Sequence, residues 1–113
     1  MPQDSHLQRK HCVPCEGGVA PLTEKEYTVF LKEVPEWSVE KGRVLTREFV
    51  KKDFKEALKF INAIGNIAEH EGHHPDMLLY GWNKVRISLS THAIGGLSEN
   101  DFILAAKIDA LSS

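Results

Sequence analysis

The run Glu69-His70-Glu71-Gly72-His73-His74-Pro75, with Thr91-His92 further on, places four of the chain's six histidines between positions 70 and 92. Free imidazole titrates near pKa 6.5 and is therefore both acid and base close to neutrality. Histidines clustered in this way point to proton transfer. Gly72 suits the left-handed position that ends a helix, and Pro75 cannot continue one, so His73 and His74 are expected to leave a helix on non-helical backbone. His74 precedes proline and is pushed towards extended geometry, so the two neighbouring rings should diverge rather than share a metal. Glu69 and Glu71 sit in the last helical turn, where a carboxylate opposes the macrodipole by about 0.3–1 kcal/mol. Something other than helix stability is expected to keep them there.

Positioning these residues requires three helices, each opened by a capping box: Thr23 with Glu26, Asp53 with Glu56, and Ser98 with Asp101. The first carries Tyr27, Phe30, Leu31 and Val34 at helical spacing, with Leu22 placed to staple onto Tyr27, and Pro35 closes it. The second, the longest, puts Phe54, Ala57, Leu58, Ile61, Ile64 and Ala68 on one face and ends at Gly72. In the third, Leu97 staples onto Phe102, and Ala105, Ala106 and Ile108 turn to the core. Between the first two helices, Trp37 and Val39 alternate with polar residues, Lys41-Gly42 reads as a turn, and Val44 to Val50 reads as a strand. Met77 to Tyr80 and Lys84 to Ser90 form a second hairpin. The order α-β-β-α-β-β-α predicts an α+β fold, a four-stranded, mainly antiparallel sheet with helices packed on one face. If the last strand keeps its alternation, His92 falls on the non-core face with Ser88 and Ser90, and Gly95-Gly96 leaves room beside it for a flat ligand.

Size and charge narrow the function. The 113 residues, 42% of them hydrophobic, suffice for one domain and one modest core. We divide the chain into an N-terminal extension, residues 1–20, and a single domain, residues 21–113. A net charge of -2 with scattered lysines argues against direct nucleic-acid binding and leaves small molecules or proteins as partners. No apolar run approaches the roughly 18 residues of a membrane span, and the polar start does not read as a secretory signal, so a cytoplasmic protein is expected. The only cysteines, Cys12 and Cys15, frame a Cys-Val-Pro-Cys pair beside His11. Two sulfurs without a second pair do not complete a zinc site, and the pair precedes Gly17-Gly18 rather than following a strand, so a structural or incidental role is favoured over metal or redox chemistry.

The ordered set Glu69-His70-Glu71-Gly72-His73-His74-Pro75-Asp76, Trp82-Asn83-Lys84-Val85 and Ser90-Thr91-His92-Ala93-Ile94-Gly95-Gly96-Leu97-Ser98-Glu99-Asn100-Asp101 closely resembles the pterin-4a-carbinolamine dehydratases. The resemblance runs from Leu22 to about Leu111 and includes the apolar positions Trp37, Phe49, Phe54, Ala57 and Phe60. It implies the same α-β-β-α-β-β-α fold, assembly as dimers or as tetramers built from dimers, and removal of water from 4a-hydroxytetrahydropterin to give quinonoid dihydropterin. It implies no metal or organic cofactor. The three active-site histidines fall on His73, His74 and His92, and the acidic positions associated with them on Glu69 and Asp101. Within that chemistry His73 and His92 are expected to share the acid and base roles, while His74 binds and orients the pterin. Asp101 also completes the Ser98 capping box, Glu69 either orients a histidine or is solvated, His70 is a surface residue, and Trp82 serves packing or an interface rather than pterin stacking.

Two rival functions remain. One is a metal-binding protein using His70, His73, His74 or His92, with Cys12 and Cys15. The other is an interaction module, because some family members also act as dimerisation cofactors for a homeodomain transcription factor. The Cys-x-x-Cys-x-Gly-Gly extension resembles the bacterial or plant branch, which speaks against that partnership.

Overall fold

The computed structural model describes residues 6–13 and 19–112. Cys15 and Gly17-Gly18 lie outside these, so the Cys12 and Cys15 pairing lies outside the described residues as well. The elements run α1 (His6–Arg9), α2 (Glu24–Leu31), β1 (Ser38–Glu40), β2 (Val44–Val50), α3 (Phe54–Glu71), β3 (Asp76–Tyr80), β4 (Lys84–Leu89), a 3₁₀ turn (His92–Ile94) and α4 (Glu99–Ser112). The strands form one antiparallel sheet in the order β1-β2-β4-β3. This is the expected α+β arrangement, with α1 added in the N-terminal extension.

Strand alternation decides the two faces of the sheet. Leu45 pairs with Leu89, Arg47 with Ile87 and Phe49 with Val85, and Leu79 continues the row onto β3. Four of these apolar side chains are fully buried and Phe49 nearly so. The opposite row, with Glu48, Val50, Leu78, Tyr80 and Arg86, is exposed. The helices therefore cover one face. Deepest among them is α4, buried from Asn100 through Ala106, with Phe102 stacked on Phe30 at a centroid separation of 5.4 Å. Apolar on nearly every side, it packs against α1, α2 and α3. Leu7 of α1 is fully buried in the same core.

The three predicted helix starts differ in detail. Thr23 and Glu26 form the complete reciprocal box. At α3 the Asp53 carboxylate accepts from the Glu56 N–H at 2.8 Å. At α4 the direction reverses: the Ser98 N–H donates to Asp101 Oδ2 at 2.9 Å, while the Ser98 hydroxyl is engaged with Thr91 at 2.7 Å. The α3 face also needs correction. Its buried stripe is Ala57, Phe60, Ile64 and Ala68, whereas Phe54 and Leu58 are exposed. At 3.6 residues per turn, those two fall to one side of a stripe centred on Ile64.

Candidate active site

The C-terminus of α3 sets the first histidine. Gly72 adopts φ 67° and ψ 27°, its N–H bonds Glu69 O, and the His73 N–H reaches back to Ala68 O at 3.2 Å. This double closure fixes the backbone of His73 immediately past the helix, in a conformation that only glycine at position 72 adopts without strain. Pro75 and β3 then carry the chain away.

The His73 ring meets Asp101 from the first turn of α4: Nε2 lies 2.6 Å from Oδ1, and the carboxylate is fully buried. An ionised carboxylate only accepts, so His73 donates through Nε2–H and keeps Nδ1 as the nitrogen able to take a proton. The second carboxylate oxygen accepts from the Thr91 hydroxyl at 2.8 Å and from the Ser98 N–H. Since the one Thr91 hydroxyl proton goes to Asp101, the Ser98 hydroxyl must donate to Thr91. Asp101 thus caps α4 with one oxygen and orients His73 with the other.

His74 diverges from His73, as its place before proline predicts. Its Nε2 lies 2.6 Å from Glu69 Oε1, and both side chains are largely exposed. His92 is also exposed, but not at a strand end. β4 stops at Leu89, and His92 opens the 3₁₀ turn that a Thr91–Gly96 bridge closes. The two glycines shape that turn, and of the two only Gly95 has open space beside it. Gly95 has φ 68°, and a Cβ on Gly96 would stand 2.6 Å from Pro21 Cβ.

His73, His74 and His92 line one cavity of about 410 Å³, together with Cys12, Val13, Glu71, Ser90, Thr91, Ala93 and Asn100. Glu69 touches this site through His74, and Asp101 through His73. His70 belongs elsewhere. It faces His11 and a second groove of about 470 Å³ that Glu71, Ile67, Lys107 and Leu111 help to line. Trp82 is exposed in the β3–β4 turn, so it does not pack within the chain.

Sequence reasoning did not place Glu71, Cys12, Val13 or Asn100 at this cavity, although it singled out Glu71 as kept by something other than helix stability. The Glu71 side chain is 3% exposed, accepts from the Cys12 N–H at 2.7 Å and from His11 Nδ1 at 2.9 Å, and stands 3.7 Å from the Lys107 ammonium. Burial pushes its carboxyl up, but these donors and the ammonium outweigh it and hold the group below the ordinary 4.5. Burial, with the negative charges of Glu71 and Asp101, pushes the Cys12 thiol up to about 12 and keeps it neutral. Among the described residues, His11, His70 and Glu71 bring possible metal-ligand atoms within 4.8 Å of one another, a grouping different from the four histidines of the rival reading. Lys107 already supplies that site's positive charge.

An α+β scaffold that brings three imidazoles into one cavity, two from the turn after α3 and one from the 3₁₀ turn after β4, with one of them held by a buried carboxylate, is of a class able to carry proton transfer. Comparison with known proteins gives that class a family. The profile of the pterin 4 alpha carbinolamine dehydratases matches residues 20–111, and the chain belongs to this family. Relatives provisionally named pterin-4-alpha-carbinolamine dehydratase include one from Alkaliphilus metalliredigens, 50% identical over 96% of this chain and 98% of its own. Another, from Halorhodospira halophila, is 51% identical over 95% of this chain and 98% of its own. A crystal structure of a transcriptional coactivator/pterin dehydratase from Brucella melitensis superposes with a TM-score of 0.77 at 34% identity, covering 82% of this chain and 99% of that one. A pterin dehydratase-like protein identified as a RuBisCO assembly factor in the alpha-carboxysome aligns with a TM-score of 0.59 at 25% identity, over 69% and 90% of the two chains.

Proposed function

We propose that this chain dehydrates 4a-hydroxytetrahydropterin to quinonoid dihydropterin, as part of pterin recycling, with His73, His74 and His92 as the working residues. The observation that carries the reading is the His73–Asp101 pair inside the cavity that His74 and His92 share. The reaction breaks the C4a–O bond, removes the N5 proton and releases water, so it needs one proton donor and one acceptor and no change of oxidation state. Asp101 holds the proton on Nε2 of His73 and stabilises the imidazolium that forms when Nδ1 accepts from N5. His92, bound to no described side chain, supplies the proton to the leaving hydroxyl. His74, steadied by Glu69, binds and orients the pterin. Each acid or base step contributes about 10²–10⁴-fold, enough for a substrate that already loses water spontaneously.

Self-association belongs to the same proposal. β1 and β3 are the sheet's edges, and on and beside β3 the side chains Met77, Leu78, Tyr80 and Trp82 are exposed. An edge with unpaired backbone groups and apolar side chains is suited to a second copy of the chain. Among the described residues no helix is long and apolar enough to cross a membrane, and we assign the activity to the cytoplasm.

Stopped-flow measurement of freshly generated 4a-carbinolamine tests the activity. Purified protein treated with a chelator should accelerate dehydration well above the spontaneous rate. No acceleration at micromolar protein would refute the assignment.

A further inference from the structure

We propose that the N-terminal segment is a working part of the substrate site: Cys12 and Val13 complete one wall of the histidine cavity and set how tightly the substrate is held. The inference rests on the dehydratase reading and deepens it. The family match begins at residue 20, yet both residues line the cavity of His73, His74 and His92.

The segment is held there by a specific set of bonds. The Val13 N–H donates to Asn100 Oδ1 at 3.0 Å, and the Asn100 amide donates back to Val13 O at 2.6 Å. Asn100 itself is 5% exposed. The Cys12 N–H is held by buried Glu71, and the Cys12 thiol donates to Asn100 O at 3.6 Å. Upstream, Lys107 donates to Gln8 O at 2.8 Å, Lys10 pairs with Glu99, and Leu7 is in the core.

A simple anchor for a chain terminus would be complete at Leu7 and Gln8. Instead, four hydrogen bonds fix Cys12 and Val13, and Val13 stays 67% exposed with both backbone groups paired. The other walls of the cavity are mostly polar: His73, His74, Ser90, Thr91 and His92. An isopropyl group held rigidly at such a cavity offers an apolar surface to the face of a planar heteroaromatic ring, and that surface is desolvated only when the ring arrives. The thiol beside it stays neutral, so Cys12 contributes shape and not nucleophilic chemistry.

The test is a split between binding and chemistry. Val13→Ala removes apolar contact without touching the backbone bonds, and Val13→Asp adds a charge at the same place. In the full-length protein Val13→Ala should raise KM about three- to tenfold, with kcat within about twofold, and Val13→Asp should raise KM further. Calorimetric titration with the stable probe 7,8-dihydropterin should show Kd rising by the same factors. Adding the probe to the wild-type protein should also slow amide hydrogen exchange at Cys12 and Val13, which an anchor remote from the ligand would not do. Wild-type turnover with KM, Kd and exchange all unmoved would overturn this inference alone. A wild-type protein that neither turns over the carbinolamine nor binds dihydropterin would overturn the dehydratase reading and this inference together.

Discussion

His73 and His74 are neighbours on one chain, each with a carboxylate 2.6 Å from Nε2, yet their settings are opposite. The His73 side chain is 12% exposed and its partner Asp101 is fully buried, whereas His74 and Glu69 are 61% and 80% exposed. An exposed pair is screened by water and contributes little, at most about 1 kcal/mol. A buried carboxylate with every oxygen occupied has no solvent to turn towards, so it imposes one tautomer and one orientation on its histidine. The contrast teaches that a shared His-carboxylate motif does not define a role. Burial of the carboxylate suits His73 to the proposed role of base, and exposure of its partner suits His74 to the proposed role of binding the pterin.

The largest effect should come from removing both proposed proton-transfer partners. His73→Ala combined with His92→Ala should bring turnover nearly to the spontaneous rate, read by stopped-flow on protein shown by circular dichroism to be folded. Asp101→Asn comes next and bears directly on the comparison. The Ser98 N–H and Thr91 hydroxyl both need an acceptor, so the new amide must present its oxygen to them and its NH₂ to His73 Nε2. That forces the other tautomer and blocks Nδ1, for a loss on the order of 10²-fold in kcat. Glu69→Gln, the matching change at the exposed pair, should alter kcat less than about threefold.

A smaller effect concerns the N-terminal segment. The Glu71 carboxyl is held below its ordinary 4.5, so its ionised form stabilises the docked segment above that pH, and the stabilisation is lost as pH falls through the lower folded value. The Cys12 amide resonance should therefore hold its docked position from neutrality down to pH 4.5 and shift only below it. In Glu71→Gln that acid transition should be absent. The smallest effects separate two helix starts. Thr23→Ala removes a complete box and should cost about 1 kcal/mol in chemical denaturation. Ser98→Ala removes a hydroxyl that bonds Thr91 and not the helix, costing about 0.5–1.5 kcal/mol and loosening Asp101.

Much of this site was legible in the sequence because it is encoded locally. Gly72 and Pro75 announce where α3 stops, and the pre-proline position of His74 announces that the two rings part. The resemblance marked His73, His74, His92, Glu69 and Asp101. What stayed hidden is long-range. Asp101 read as a helix cap, and nothing local shows that its second oxygen meets a ring 28 residues away. Glu71, at odds with the helix dipole, called for some other purpose, but the Cys12 N–H that it serves lies 59 residues off. Asn100 and Val13, 87 residues apart, carry no pairing signal at all. His92 was misplaced for a different reason: strand alternation extrapolates smoothly, but the Thr91–Gly96 bridge ends the strand early and turns the chain.

The most direct test of the central contrast is the ratio of catalysed rates for His73→Ala and His74→Ala, measured side by side at saturating carbinolamine with the spontaneous rate subtracted. We expect a loss of about 10²-fold or more for His73→Ala, and a loss below about tenfold for His74→Ala, whose main effect is a higher KM. Equal losses, or a larger loss at His74, would contradict the assignment of proton transfer to the histidine that buried Asp101 holds.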